Sequence, residues 1–332
     1  MARVAWCRLG EDRFAIDLAA LSGVERTDRL QRVPADPAGA VGWLLGPRED
    51  LPVFALARLL GRPDAPASDR GSGVVLVYPG GAGVGGFGLL ADGVERGERP
   101  VEALHPLPEP FRNAGVSAFG GVAQADGALS LLLDVHEIGR RALRDPAADA
   151  GPEGRGIEAC PAPAGRGGRE EEHGGAPPRP AGARRAARVL IADLFARNAA
   201  GRRISVAFAP GQVLEVIESA PVLAVPGSPV RLPGILLWRD RPLAVLDLAR
   251  SLDGSARLSV FGRAERFVIV ATPTAPVAVP VGRDVRFERL SRSAPAAGAA
   301  PADRRVLGAF DLPDSLLLVF DLALSLAGAD LA

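Results

Sequence analysis

The sequence contains no lysine: all 39 basic residues are arginine, set against 39 Asp plus Glu. Without lysine there is no Walker-type phosphate loop, no Schiff-base nucleophile and no lysine general base. The formal charge of zero lacks the clustered positive field on which nucleic-acid and anionic-membrane binding depend. Cysteine is nearly absent too. Cys7 and Cys160 cannot build a disulfide framework, and Cys7 sits in an apolar strand-like run. Only three histidines are present, and no four potential zinc ligands fall at close spacing. No uncharged apolar run reaches 18 residues, and the opening MARVAWCRLGEDRF lacks the apolar core of a signal peptide. The expectation is a soluble, cytoplasmic protein with no direct membrane insertion and no nucleic-acid partner.

Glycine and proline, by contrast, are plentiful at 40 and 30 residues, so turns should be frequent and long helices rare. They concentrate in residues 145–187, where 16 of 43 positions are Gly or Pro, 11 are Ala, and Ile157 is the only large aliphatic. Such a stretch cannot bury enough apolar surface to offset its ordering entropy, which predicts a disordered linker. The flanks, 1–144 and 188–332, carry net charges of −2 and +3, too mild to specify a partner by field alone.

Both flanks read as short strands. RVAWCRL, FAIDL, VVLVY, GGFGLL and LSLLLDV recur between Gly, Pro or Asp turns in the first; VLIADLF, ISVAFA, FVIVA, VAVPV and LLLVFDL follow in the second. Short apolar runs punctuated by turns, without helical periodicity, predict an all-β barrel or sandwich. Brief helices are expected at 55–61, 135–144, 247–252 and 321–328.

The flanks also repeat each other. A constant shift of 192 carries Val33, Pro34 and Pro37 onto Val225, Pro226 and Pro229. It carries Gly42, Leu44 and Val53 onto Gly234, Leu236 and Val245, and Leu56-Ala57-Arg58 onto Leu248-Ala249-Arg250. At a shift of 187, Gly121 and Asp134 fall on Gly308 and Asp321. Glycines and prolines at fixed offsets imply repeated backbone turns, hence a tandem duplication of one domain.

The succession of a V-P-x-x-P stretch, a Gly-apolar run, a charged turn, a strand entering an LAR helix and a final strand ending in L-x-D resembles the CheW family of chemotaxis coupling proteins. The clearest stretch is VPGSPVRLPGILLWRDRPLAVLDLARSL at 225–252, repeated more loosely by VPADPAGAVGWLLGPREDLPVFALARLLG at 33–61. LLADGV at 89–94 is similar to the family's strand ending in Val-Asp-x-Val. The resemblance implies two CheW-like domains, each a pair of small five-stranded β-barrels. It also implies a non-enzymatic adaptor without cofactors, bridging methyl-accepting chemoreceptors to a CheA-type histidine kinase. In the family's Asn-Leu-Arg-Gly turn only the Arg carries over, as Arg239, with Leu237 and Asp240 replacing Asn and Gly. Asp247 matches the acid of Pro-Val-Ile-Asp-Leu, where the first half has Ala55.

Trp238, Arg239, Asp240 and Arg241 therefore form the leading candidate for partner binding, because Trp and Arg anchor interfaces. Asp247 joins them through the family match. Trp43 and Arg48 are their first-half associates, although Trp43, inside an apolar run, reads first as core filler. A small-molecule or oligosaccharide-binding barrel is the alternative function.

Catalytic readings fail. Gly81, Gly83 and Gly86 match G-x-G-x-x-G, but a second strand rather than a helix follows, so the expectation is a glycine-rich hairpin. A duplicated β chain also suits an aspartic protease, yet no Asp-Thr-Gly or Asp-Ser-Gly occurs. Asp134 and Asp321 instead precede short helices, as N-caps would. His105, His136 and His173 are expected in a turn, a short helix and the linker, away from any activated nucleophile.

Overall fold

The computed structural model describes residues 3–32, 39–46, 49–62, 73–81, 84–95, 100–143, 187–197, 201–252, 264–290 and 305–326. The linker expected at 145–187 lies outside the described residues except Ala187, which already opens a strand. Arg48, Gly83 and His173 lie outside them as well.

In the first flank the strands are β1 (Val4–Leu9), β2 (Asp12–Asp17), β3 (Gly23–Arg26), β4 (Leu30–Arg32), β5 (Gly42–Leu44) and β6 (Leu51–Ala55). After the one-turn α1 (Leu56–Leu59) come β7 (Val74–Tyr78), β8 (Phe87–Ala91), β9 (Gly93–Val94) and β10 (Ala103–Pro106). The short α2 (Glu109–Asn113) precedes β11 (Phe119–Ala125), β12 (Ala128–Leu133) and α3 (Val135–Ala142). Two sheets result, ordered β10-β11-β12-β2-β1-β9 and β3-β7-β8-β6-β5-β4.

The second flank runs β13 (Ala187–Arg197), β14 (Arg203–Phe208), β15 (Val213–Glu218), β16 (Val222–Ala224), β17 (Gly234–Trp238) and β18 (Arg241–Val245). Then follow α4 (Ala249–Leu252), β19 (Arg266–Val270), β20 (Val277–Val281), β21 (Val285–Leu290), β22 (Val306–Asp311), β23 (Ser315–Phe320) and α5 (Leu322–Ser325). Its sheets are β21-β13-β14-β23-β22 and β15-β19-β20-β18-β17-β16. The second of these repeats the order of the β3–β8 sheet strand for strand.

The register repeats too. Gly42 pairs with Val53 as Gly234 pairs with Val245, and Leu44 pairs with Leu51 as Leu236 pairs with Leu243. The same shift of 192 therefore holds for sequence, strand order and pairing, which is the mark of a duplicated domain. Three of the four sheets carry a sixth short strand beyond the five expected.

The β15–β20 sheet curls on itself. Four inter-strand spacings separate β15 from β17, about 19 Å if the sheet were flat. Yet the Trp238 indole on β17 donates a 2.8 Å hydrogen bond to Glu215 on β15. The interior so enclosed holds Leu236, Leu243, Val245, Phe267 and Ile269. Leu44, Val53 and Val75 take the corresponding places in the first flank.

Helix ends follow local chemistry. Asp134 caps α3 by accepting from the Glu137 amide at 3.0 Å, and Asp321 accepts from the Ala323 amide at 2.9 Å ahead of α5. The helix α2 was not foreseen, because Pro108 and Pro110 read as turn residues; proline is tolerated in a first helical turn, where its missing N–H costs nothing. His105, expected in a turn, pairs with Val122 within β10. The glycine-rich hairpin joins β7 to β8 as expected, with Gly81 bridged to Val84.

Two ionisable groups are buried in the first domain. Burial pushes the Cys7 thiol up from 9.0 to about 12, against smaller opposing backbone hydrogen bonds. Burial, reinforced by the neighbouring Cys7 charge, holds the Tyr78 phenol well above its ordinary 10.0. Both groups are favoured neutral in the folded state. Their stabilisation is complete below the unfolded values and lost as pH rises through the folded ones. Tyr78 is the only tyrosine. Its phenolate absorbance is therefore expected to rise together with loss of β circular dichroism in an alkaline titration. Ionisation at pH 10 with the fold intact would contradict this burial.

Candidate interaction site

The hairpin between β17 and β18 has only two residues at its tip, Arg239 and Asp240, with φ of 48° and 60°. Positive φ at both positions is the geometry that matches strand twist in a tight hairpin, and it ordinarily selects Asn-Gly. Holding a side chain there costs about 1 kcal/mol or more per residue. Something must hold the tip, and three contacts do. Arg239 lies over the Trp238 ring at 4.9 Å. The same guanidinium reaches Glu215 at 2.9 Å, and Trp238 donates to that same carboxylate oxygen. One acid thus gathers an indole and a guanidinium. Arg239 nonetheless remains 69 % exposed, so it is oriented without being used up. Asp240 and Arg241 are exposed beside it.

Relieving the strain is measurable. Asp240→Gly is expected to raise stability by about 0.5–1 kcal/mol in urea unfolding, since glycine occupies this φ without penalty. A loss of stability would mean that the Asp240 side chain makes a compensating contact.

Asp247 lies elsewhere. It is 1 % exposed, and its carboxylate accepts from the Arg250 amide at 3.2 Å and faces the Arg250 guanidinium at 3.4 Å. Burial raises its pKa, against the Arg250 amide and charge. It caps and positions α4 rather than presenting a surface. Trp43 corrects the reading of core filler. Gly42 and Leu44 take the inward positions of β5, and alternation leaves Trp43 half-buried and outside every described apolar cluster.

The first domain lacks this clamp entirely. With the repeat shift, Gly46 stands at the place of Trp238, Pro47 at that of Arg239 and Gly23 at that of Glu215. All three members are replaced together. Sequence reasoning found Trp238 and Arg239 but missed Glu215, an acid 23 residues upstream in VLEVIE that only sheet closure brings to the hairpin.

Among the described residues no cluster of metal ligands occurs, and no helix is long and apolar enough to cross a membrane. No curated protein matches the chain. A solved structure of the scaffolding protein TtCheW from Thermoanaerobacter tengcongensis is similar, with 17 % identity and a TM-score of 0.35. The match covers 42 % of this chain and 92 % of that one. The family model of the CheW-like domain matches residues 3–142 and 199–329, the two flanks whose strand order and register repeat. The chain therefore belongs to the CheW-like domain family, and carries that domain twice.

Proposed function

We propose that this protein is a non-enzymatic adaptor that couples methyl-accepting chemoreceptors to a CheA-type histidine kinase, and that the β17–β18 hairpin of its second domain is a contact surface. The observation that carries this reading is Arg239. It is an exposed arginine in a strained conformation, fixed by Glu215 and Trp238. Strain of this kind persists where surrounding structure over-determines it, and it is concentrated at binding sites. A guanidinium already held in place loses little rotamer freedom on binding, so more of its interaction energy appears as affinity.

In this reading Trp238, Arg239, Asp240 and Arg241 face the partner. Asp247 supports the adjoining helix from within, and the exposed flank of β15, with Leu214 and Val216, extends the surface. The test is the affinity of the intact protein for purified kinase and for receptor signalling tips, compared with a variant lacking the Trp238 and Arg239 side chains. Equal affinities would remove the hairpin from the interface.

A further inference from the structure

The second domain ends one of its sheets on an edge that the first domain keeps short. Among the described residues β21 pairs with β13 alone. It runs for six residues, whereas β9, the strand in the same place in the first domain, has two. Along a free edge alternate N–H and C=O groups point outward, ready to pair with another chain, and a short edge strand is one means of avoiding this. The first domain uses that means and the second does not.

The side chains on this edge do not serve stability. Arg188 on β13 lies directly opposite Arg289 on β21, and like charges so placed repel. Neither guanidinium meets a carboxylate among the described residues; the nearby Glu288 is taken by Arg286 at 3.3 Å. Alternation puts Phe287 on the same face as Arg289. That phenylalanine is 54 % exposed, with the Arg188 guanidinium 4.8 Å from the centre of its ring. With Arg283 and Arg286, four arginines line the edge against Asp284 and Glu288.

We propose that the β21 edge binds an extended acidic segment of a partner protein, added to the sheet as a further strand. A carboxylate of that strand faces Arg289 and Arg188, and an apolar side chain packs on Phe287. One occupant thus satisfies the outward backbone groups, relieves the opposed arginines and covers the exposed ring. Main-chain hydrogen bonds supply affinity in such pairing, and side chains choose the strand. A second copy of this edge would bring the same arginines against these, so the charge bars self-pairing and selects an acidic partner. The edge belongs to the other sheet from the β17–β18 hairpin and is independent of it.

The probe is the peptide acetyl-Thr-Glu-Thr-Val-Thr-Glu-Thr-amide, fluorescently labelled and titrated with the intact protein at low ionic strength. Binding is expected to weaken about tenfold when Arg188→Gln and Arg289→Gln are combined, the scale of two exposed ion pairs. Phe287→Thr should weaken it about threefold. A peptide with lysine for both glutamates should not bind, nor should one methylated at every amide between the glutamates. Arg289→Glu places an acid opposite Arg188. It is expected to raise the melting temperature by about 1–3 °C while abolishing peptide binding, a pairing of effects that unfolding cannot produce. No binding of the acidic peptide up to about 10 mM would overturn the proposal. So would equal binding of the lysine or the methylated peptide, or undiminished binding to Arg289→Glu. Capture of phosphatidylserine vesicles in place of the peptide, lost with the same arginines, would assign the patch to a membrane surface and overturn it as well.

Discussion

Replacing Trp238 and Arg239 together by alanine is expected to weaken binding of kinase or receptor by about 30- to 100-fold. That corresponds to a loss of about 2–3 kcal/mol, the range of a central interface anchor. The fold should survive, because neither residue fills the core: Trp238 only borders the apolar cluster that Leu236 and Phe267 form. Stability itself is expected to fall by no more than about 1–2 kcal/mol, from lost packing and the lost hydrogen bond to Glu215. Glu215→Gln separates orientation from contact. Glutamine keeps an acceptor for the Trp238 indole but removes the charge that holds Arg239, so a loss of about fivefold is expected with little change in melting temperature. Unaltered affinity in the folded double variant would place the interface elsewhere. The first-domain counterparts provide the complementary control. Gly46 and Pro47 already lack both side chains, so substitutions there should leave this binding unchanged.

The largest stability effect is expected at Gly139. A methyl group on its Cα would sit 2.5 Å from Phe87 Cε1, 2.9 Å from Phe87 Cζ and 2.9 Å from Val84 Cγ1. The helix α3 is therefore pressed onto β8 at a distance only glycine permits. In the second domain the corresponding positions are Leu326 and Val277, both buried. Large and small have exchanged partners between the two copies. Gly139→Leu alone is accordingly expected to destabilise by about 3 kcal/mol, an overpacking cost at the upper end of the usual range. Phe87→Val alone should cost about 2 kcal/mol by leaving a cavity. The double variant should lose no more than Phe87→Val alone, because the leucine fills the space vacated by the ring. Urea unfolding of all four proteins gives the coupling directly. Simple additivity of the two losses would show that the exchange seen between the copies is not a packing compensation.

Much of this fold is legible in the sequence. The duplication was visible because Gly42, Leu44 and Val53 recur as Gly234, Leu236 and Val245, and the structure pairs both sets in the same register. Glycine and branched aliphatics at fixed offsets encode turns and inward faces, and those are local properties of the chain. The caps at Asp134 and Asp321 were legible for the same reason, since a cap spans three residues. The helix at Glu109–Asn113 was not, because proline signals both a turn and a helix start. Trp43 was misread because a short run of apolar residues does not say which of them face inward; the pairing of Gly42 and Leu44 decides it.

What the sequence by itself determined is thus the class of fold, its repetition and the residues at the hairpin tip. Absence did part of that work: with no lysine, phosphate-loop and Schiff-base chemistry have no residue to carry them. Only the tertiary structure decided which residues act together. Glu215 meets Trp238 because a curled sheet returns its first strand to its fifth, and no spacing along the chain announces this. Tyr78 became a buried phenol stacked on Phe87 only once β7 and β8 were paired. Local chemistry is written in neighbouring residues, whereas sites are assembled by closure and burial, which bring distant residues into one place.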